Sequence, residues 1–218
     1  MHRTATDMKR ARTGDQKAAR RRAILDAADR HFAEAGFEGF SMARVGRLAG
    51  VAKGTLYLYF ETREDVLLAL TLDKLAAWAD ALLDDPDAAP SDESFAAAFH
   101  AAAWRDPALM PLLSRLDSVI EHNVSTGILI EAKSAMSDLF LGLADGLADR
   151  LGLTPAQALD ALTSLGALLL GAAQADLGPD LDGCELPADV RRMTEAFASE
   201  SLFITNACRI LRGIRAGH

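Results

Sequence analysis

Cysteine is nearly absent. Cys184 and Cys208 are the two in 218 residues, they lie far apart, and neither belongs to a CxxC or Cys/His spacing. Neither a disulfide framework nor a zinc site is expected, and a reducing, cytoplasmic setting fits. Aromatic residues make up 6% and β-branched residues are few, whereas Ala and Leu dominate, a balance that favours helices over sheets. Long apolar runs are missing too. The longest, from Ala161 to Ala175, is about 15 residues against the roughly 20 that a membrane span needs, and it holds Thr163, Ser164 and Gln174; it reads as a buried helix. The N-terminus is basic but has no apolar stretch behind it, so it lacks the form of a secretory signal. A nucleophile elbow, an HExxH or ExxH metal pair and a phosphate-binding glycine loop are all lacking. Catalysis has no visible carrier, and neither a cofactor nor a metal is expected.

What is present begins with charge. The total is −8, from 23 Lys and Arg against 31 Asp and Glu, which taken whole argues against nucleic acid. Its distribution argues otherwise. Residues 1–63 hold 13 basic and 7 acidic side chains, and residues 1–22 hold 8 basic and 2 acidic. The rest of the chain is strongly acidic. Such asymmetry suggests two jobs, one of which meets a polyanion.

Three parts follow: a disordered basic arm over 1–16, a compact helical unit over 17–63, and a larger helical unit over 64–218. The fold class is all-α with about nine helices. Ile24, Leu25, Ala28, Phe32 and Ala35 share one face of a first helix, which Gly36 ends. Ser41 is placed to cap a second helix carrying Val45 and Leu48, and Gly50 ends it. A third short helix follows, with Val51, Leu56 and Phe60 inward. Thr62-Arg63-Glu64-Asp65 has the form of a capping box opening a fourth helix to about Leu83. Further helices are predicted over about 92–104, 107–122, 125–151, 155–176 and 188–213, with a second capping box at Thr154 and a turn-rich loop at Gly178–Pro187.

Between Phe40 and Asp65, two short helices are joined by a tight glycine turn and locked by apolar residues, which is a helix-turn-helix pattern. Its second helix would enter the major groove and offer Lys53, Thr55, Tyr57 and Tyr59 to phosphates and base edges, with Gly54 letting the backbone come close. The run Ala35-Gly36-Phe37, Ser41, Val45, Leu48-Ala49-Gly50-Val51, Lys53-Gly54-Thr55-Leu56-Tyr57, Tyr59-Phe60 and Arg63-Glu64 resembles the DNA-binding domain of the TetR family of transcriptional regulators, over about 50 residues. The resemblance implies a homodimeric repressor of double-stranded operator DNA, released by a small, largely apolar effector held in the C-terminal unit. Carried over by position, Ser41 contacts phosphate, Lys53, Gly54, Thr55, Tyr57 and Tyr59 line the reading helix, and Arg63 clamps phosphate at a helix start. Arg22 belongs to the basic arm that adds to the DNA contact. One departure is Ala52, where the family carries Ser or Thr.

The acidic part supplies candidates for an effector pocket: Trp78, Phe99, His100, Trp104, Met110, Leu116, Ile120, His122, Asn123, Met136 and Phe140, apolar or amphipathic residues on consecutive helices. Leu162, Leu165, Leu169, Phe197, Leu202 and Phe203, with Gly166, Ala167 and Gly171 permitting close approach, are candidates for a dimer interface of two helices from each chain. Packing within one chain is the competing reading of these residues. Two other functions compete with a regulator: an enzyme on a helical scaffold, and an architectural DNA-binding protein without an effector. A cavity of several hundred Å³ favours the regulator, and a closed core favours the architectural protein.

Overall fold

The computed structural model describes residues 5–85, 91–174, 176–177, 185–196 and 199–217. Among them every regular element is helical: α1 (Ala5–Gly39), α2 (Met42–Leu48), α3 (Lys53–Tyr57), α4 (Arg63–Asp84), α5 (Asp92–Trp104), α6 (Leu109–Leu113), a π turn (Leu116–Ile120) running into a 3-10 turn (Glu121–Asn123), α7 (Thr126–Leu151), α8 (Pro155–Ala173), α9 (Ala188–Ala196) and α10 (Ser199–Ala216).

The helix ends follow local chemistry. Gly36, at φ 63° and ψ −169°, breaks α1 where a C-terminal glycine is expected, and Phe37–Gly39 continue as a short separate turn. Thr62 and Asp65 close a reciprocal capping box at the start of α4. Thr154 and Gln157 do the same for α8, with Pro155 at its first turn. Arg150 caps the other end of α4, donating to the carbonyls of Leu82, Leu83 and Asp85, a cation placed where the helix carries partial negative charge.

Three expectations change. Residues 5–16 extend α1 instead of forming an arm without regular structure. Ala, Lys, Arg and Gln are good helix formers, and they propagate from a turn already nucleated by the packed part of α1. The predicted helix 107–122 is broken into three pieces. The Ser114 hydroxyl donates to the Pro111 carbonyl at 3.0 Å, Arg115 leaves helical geometry at φ −110° and ψ 0°, and the Ile120 N–H reaches back five residues to Arg115 at 3.0 Å. The last predicted helix is described as α9 and α10, with residues 197–198 outside the described residues; most of the Gly178–Pro187 loop also lies outside them.

Two cores result. In the first, α1, α2 and α3 pack through Ile24, Phe32, Phe40, Val45, Leu56 and Phe60 onto Val66–Leu68 and Leu70 of α4, so the N-terminal core runs past residue 63. The second joins the C-terminal half of α4 to α5, α7, α8 and α10 around Trp78, Phe95, Phe99, Leu147, Leu162, Leu165 and Phe203. Each such side chain contributes about 1.5–3 kcal/mol when fully buried. By length and composition α8 would cross a membrane, but its Ala161, Leu162, Leu165 and Ala173 are fully buried here in the second core.

Candidate nucleic-acid interface and internal cavity

α2 and α3 are joined by the four residues 49–52. Gly50 takes φ +65°, a conformation that costs other residues about 1–2 kcal/mol. The Val51 N–H then closes the turn onto the Gly46 carbonyl at 3.0 Å. Leu56, 1% exposed, anchors α3 from beneath. Lys53 and Gly54 face solvent and Tyr57 is 40% exposed. The Lys53 ammonium lies 5.9 Å from the Tyr57 ring centroid, so the two form one cationic-aromatic stripe. Thr55 and Tyr59 are half-buried, and Tyr59 packs partly against the first core. Ala52 caps α3 without a side-chain bond.

Ser41 is exposed and precedes α2, and its hydroxyl makes no capping bond, which leaves it for an outside acceptor. Its backbone N–H donates to Nε2 of His31 at 3.1 Å. His31 is buried and stacked on Phe40, with centroids 5.3 Å apart. Burial holds its imidazole below the ordinary value, with Arg44 and Arg47 adding to the effect and Glu34 opposing it. Because Nε2 accepts the hydrogen bond from Ser41, the ring's N–H proton is placed on Nδ1, which has no hydrogen-bond partner among the described residues. Arg63 opens α4 with its guanidinium 4.8 Å from the Phe37 ring and 3.1 Å from Glu64.

Arg22 lies near the start of the packed part of α1. Its guanidinium is exposed but bonded to Asp26 at 2.7 Å and to Asp73 of α4 at 2.7 Å, so it holds α1 on α4. Arg44 and Arg47, exposed on α2, are cations the sequence reading passed over, although their place on the outer side of the α2 periodicity marks them.

The second unit holds a cavity of about 310 Å³. Of the expected pocket residues, Trp78, Phe99, Leu116, Met136 and Phe140 line it, joined by Leu109, Leu113 and others. Five do not. His100 is buried beside it, taking a hydrogen from Trp104 Nε1 at 3.0 Å and lying 3.3 Å from the Ser199 hydroxyl. That hydroxyl in turn donates to Asp176. Burial keeps His100 below its ordinary value against the pull of Glu200 and Asp176. Ile120 is buried in the first core. His122 and Asn123 are exposed and bonded to the Asp117 and Val119 carbonyls at 2.6 and 2.7 Å. Met110 is in the second core but not among the lining residues.

The dimer candidates also move. Leu162, Leu165, Leu169 and Phe203 are buried within one chain, and Leu162 and Leu169 line the cavity. Leu202 is half-buried, and Phe197 lies outside the described residues. An apolar residue satisfied inside its own chain has little left to give a partner. At the cavity's polar margin are Asp117, Thr163 and Lys133, whose ammonium lies 2.6 Å from Glu121. Among the described residues no group of His, Cys, Asp and Glu is arranged to hold a metal ion.

The broken helix joins cavity and helix-turn-helix. Leu116 lines the cavity and belongs to the first core with Leu112 and Ile120. Arg115 lies 4.9 Å from the Phe37 ring, the same ring that Arg63 covers. Lys74 of α4 lies 2.6 Å from both Asp29 of α1 and Asp106 ahead of α6.

Comparison with known proteins agrees with this arrangement. Residues 24–70 match the model of bacterial regulatory proteins of the tetR family, and residues 68–176 match a tetracyclin repressor-like C-terminal domain. The chain is 37% identical over 62 residues to a fatty acid metabolism regulator protein of Bacillus subtilis, covering 28% of this chain and 32% of that one. It is 32% identical over 72 residues to the transcriptional repressor AcnR of Corynebacterium glutamicum, covering 33% of this chain and 38% of that one. The matches thus span about a third of the length of these relatives. The fold is shared with a TetR regulator from Rhodococcus sp. RHA1, at TM-score 0.59 and 22% identity over 90% of this chain and 97% of that one. A TetR from Streptomyces coelicolor gives 0.59 and 21% over the same shares. With the family models together running from residue 24 to residue 176, the chain belongs to the tetR family of bacterial regulatory proteins.

Proposed function

We propose that the protein is a homodimeric, cytoplasmic transcriptional repressor that grips double-stranded operator DNA through α3 and is released by a small, largely apolar effector bound in the cavity. The observation that carries the reading is the double membership of Leu116, one face in the cavity wall and the rest in the core beneath the helix-turn-helix. An occupant that displaces Leu116 must also displace its neighbours there. Arg115 on Phe37 and Lys74 between Asp29 and Asp106 offer parallel links. The DNA contact is assigned to Ser41, Lys53, Gly54, Thr55, Tyr57 and Arg63, with Arg44 and Arg47 as added phosphate ligands and Tyr59 shared with the core. Arg22 is left out because Asp73 holds it.

The dimer contact is assigned to the outer stripe of α8, where Thr163, Ala167 and Gly171 are exposed and small enough for a second helix to approach. Thr163 and Ala167 also border the cavity, so a partner seated there closes its mouth. The test joins two measurements. Light scattering gives the oligomeric state. A screen of apolar small molecules by thermal shift, followed by titration into the protein–DNA complex, gives release. A dimer whose stabilising ligands dissociate DNA supports the reading. A monomer, or ligands that stabilise the protein and leave the complex intact, contradicts it.

A further inference from the structure

Leu58 is 83% exposed, more than any other large apolar side chain among the described residues. It follows α3 directly and keeps helical geometry, at φ −76° and ψ −19°, so the helix turn can be continued through it. At 100° per residue, Gly54 and Leu58 lie about 160° and about 200° round the helix from Leu56, the residue anchored in the core. The line of α3 that points most directly away from the domain is therefore Gly54 and Leu58, with Tyr57 and Thr55 on its two flanks. Gly54 is exposed, and a Cβ built there meets nothing within 4 Å, so packing within the chain does not require glycine. The bare Cα of Gly54 thus stands one turn ahead of a largely exposed leucine.

We propose that Leu58 is a specificity-determining residue, its side chain meeting the C5-methyl group of a thymine in the major groove of each operator half-site. The inference rests on α3 being the recognition helix. Apolar contact with the thymine methyl is an established mode of base readout, and this is the apolar side chain carried foremost by the helix. The surroundings favour DNA over an apolar protein partner, since Arg44, Arg47 and Lys53 are all exposed on the same pair of helices. Lys53 and Tyr57 form the polar stripe beside Leu58 and serve phosphates and base edges. Gly54 lets the helix sink far enough for Leu58 to touch a base.

The test starts from the full chain and a randomised duplex library, and the tightest duplex selected is the probe. Each thymine pair related by the duplex two-fold is replaced in turn by deoxyuridine, which deletes only the methyl groups. At one such pair the wild-type protein should lose about fifteenfold in affinity, from about fourfold for each methyl-sized contact withdrawn from water. Leu58→Ala should lose at least as much on the thymine duplex and be indifferent to deoxyuridine at that pair, with an unchanged melting temperature because the side chain is exposed. Full affinity of Leu58→Ala, or a loss that no thymine methyl shares, overturns the assignment. Lys53→Ala/Tyr57→Ala separates the two levels. If that variant loses binding and Leu58→Ala does not, the role of Leu58 falls alone. If neither loses binding, or the library enriches no duplex, the recognition-helix reading falls with it.

Discussion

Lys74→Met removes the charge that ties the two units together and keeps a side chain of similar length. The Lys74 side chain is 10% exposed, and its ammonium lies 2.6 Å from a carboxylate oxygen of each of Asp29 on α1 and Asp106 ahead of α6, whose side chains are 43% and 38% exposed. Because both carboxylates reach water, neither pair is worth more than the upper end of the surface range, about 1 kcal/mol each. Sheltering the ammonium offsets part of that, leaving a net cost of about 1 kcal/mol for the substitution. For a chain of this size the melting temperature should fall by about 2–4 °C. Burial lowers the pKa of Lys74, but its two hydrogen bonds outweigh this and hold it above the ordinary 10.5. A raised folded-state value gives stability that is full below 10.5 and is lost as pH rises from there through the higher folded-state value, so the deficit should be flat from about pH 6 to about pH 9. It should shrink in about 1 M salt, where the Debye length is about 3 Å. Asp29→Asn and Asp106→Asn should each cost about half as much, and adding either to Lys74→Met should cost nothing further. Thermal unfolding of the wild type and the five variants at two salt concentrations decides the matter. A Lys74→Met protein as stable as wild type, or more so, would refute the reasoning by showing that sheltering the charge costs more than its partners return.

Other predictions follow from single residues. His31 is held below its ordinary 6.5, so its contribution is present above that value and fades as pH falls through the folded-state one; melting curves from about pH 8 to about pH 5 should show a loss that His31→Gln abolishes. Gly54→Ala should be neutral or stabilising by up to about 1 kcal/mol, since its Cβ has room, yet weaken DNA binding by holding the helix off the groove; equal binding by fluorescence anisotropy would contradict close approach. Gly50→Ala should do the reverse, costing about 1–2 kcal/mol through its positive φ as measured by denaturant unfolding. Leu116→Ala should destabilise by about 2 kcal/mol, the low end for a buried leucine, because one side of it already faces the cavity.

Much of the fold was legible because its signals are local. The capping boxes at Thr62 and Thr154, the stops at Gly36 and Gly50 and the apolar steps of Ile24, Phe32, Val45 and Leu56 each act within a few residues. What escaped depends on neighbours distant in sequence or on small local competitions. The bond from Arg22 to Asp73, 51 residues on, had no signal in the sequence. The helix is interrupted at Arg115, next to the Ser114–Pro111 bond, although its apolar pattern runs on unchanged. α8 is apolar around so much of its circumference that periodicity could not tell which face meets its own chain; Leu162 and Leu165 turned out to face inward. His122 and Asn123 spend their polar atoms on carbonyls one turn back, while the cavity draws instead on Leu109 and Leu113 from the broken helix. In the candidate DNA face, exposure singles out Lys53, Gly54 and Tyr57, while Tyr59 is drawn half inward.

The most direct measurement is the affinity of the Lys53→Ala/Tyr57→Ala protein for the duplex selected by the wild type, read by fluorescence anisotropy alongside melting temperature. Both side chains are exposed, so the fold should hold while binding falls toward the non-specific level, about a thousandfold or more weaker. Undiminished binding by a folded double variant would contradict α3 as the helix that reads DNA.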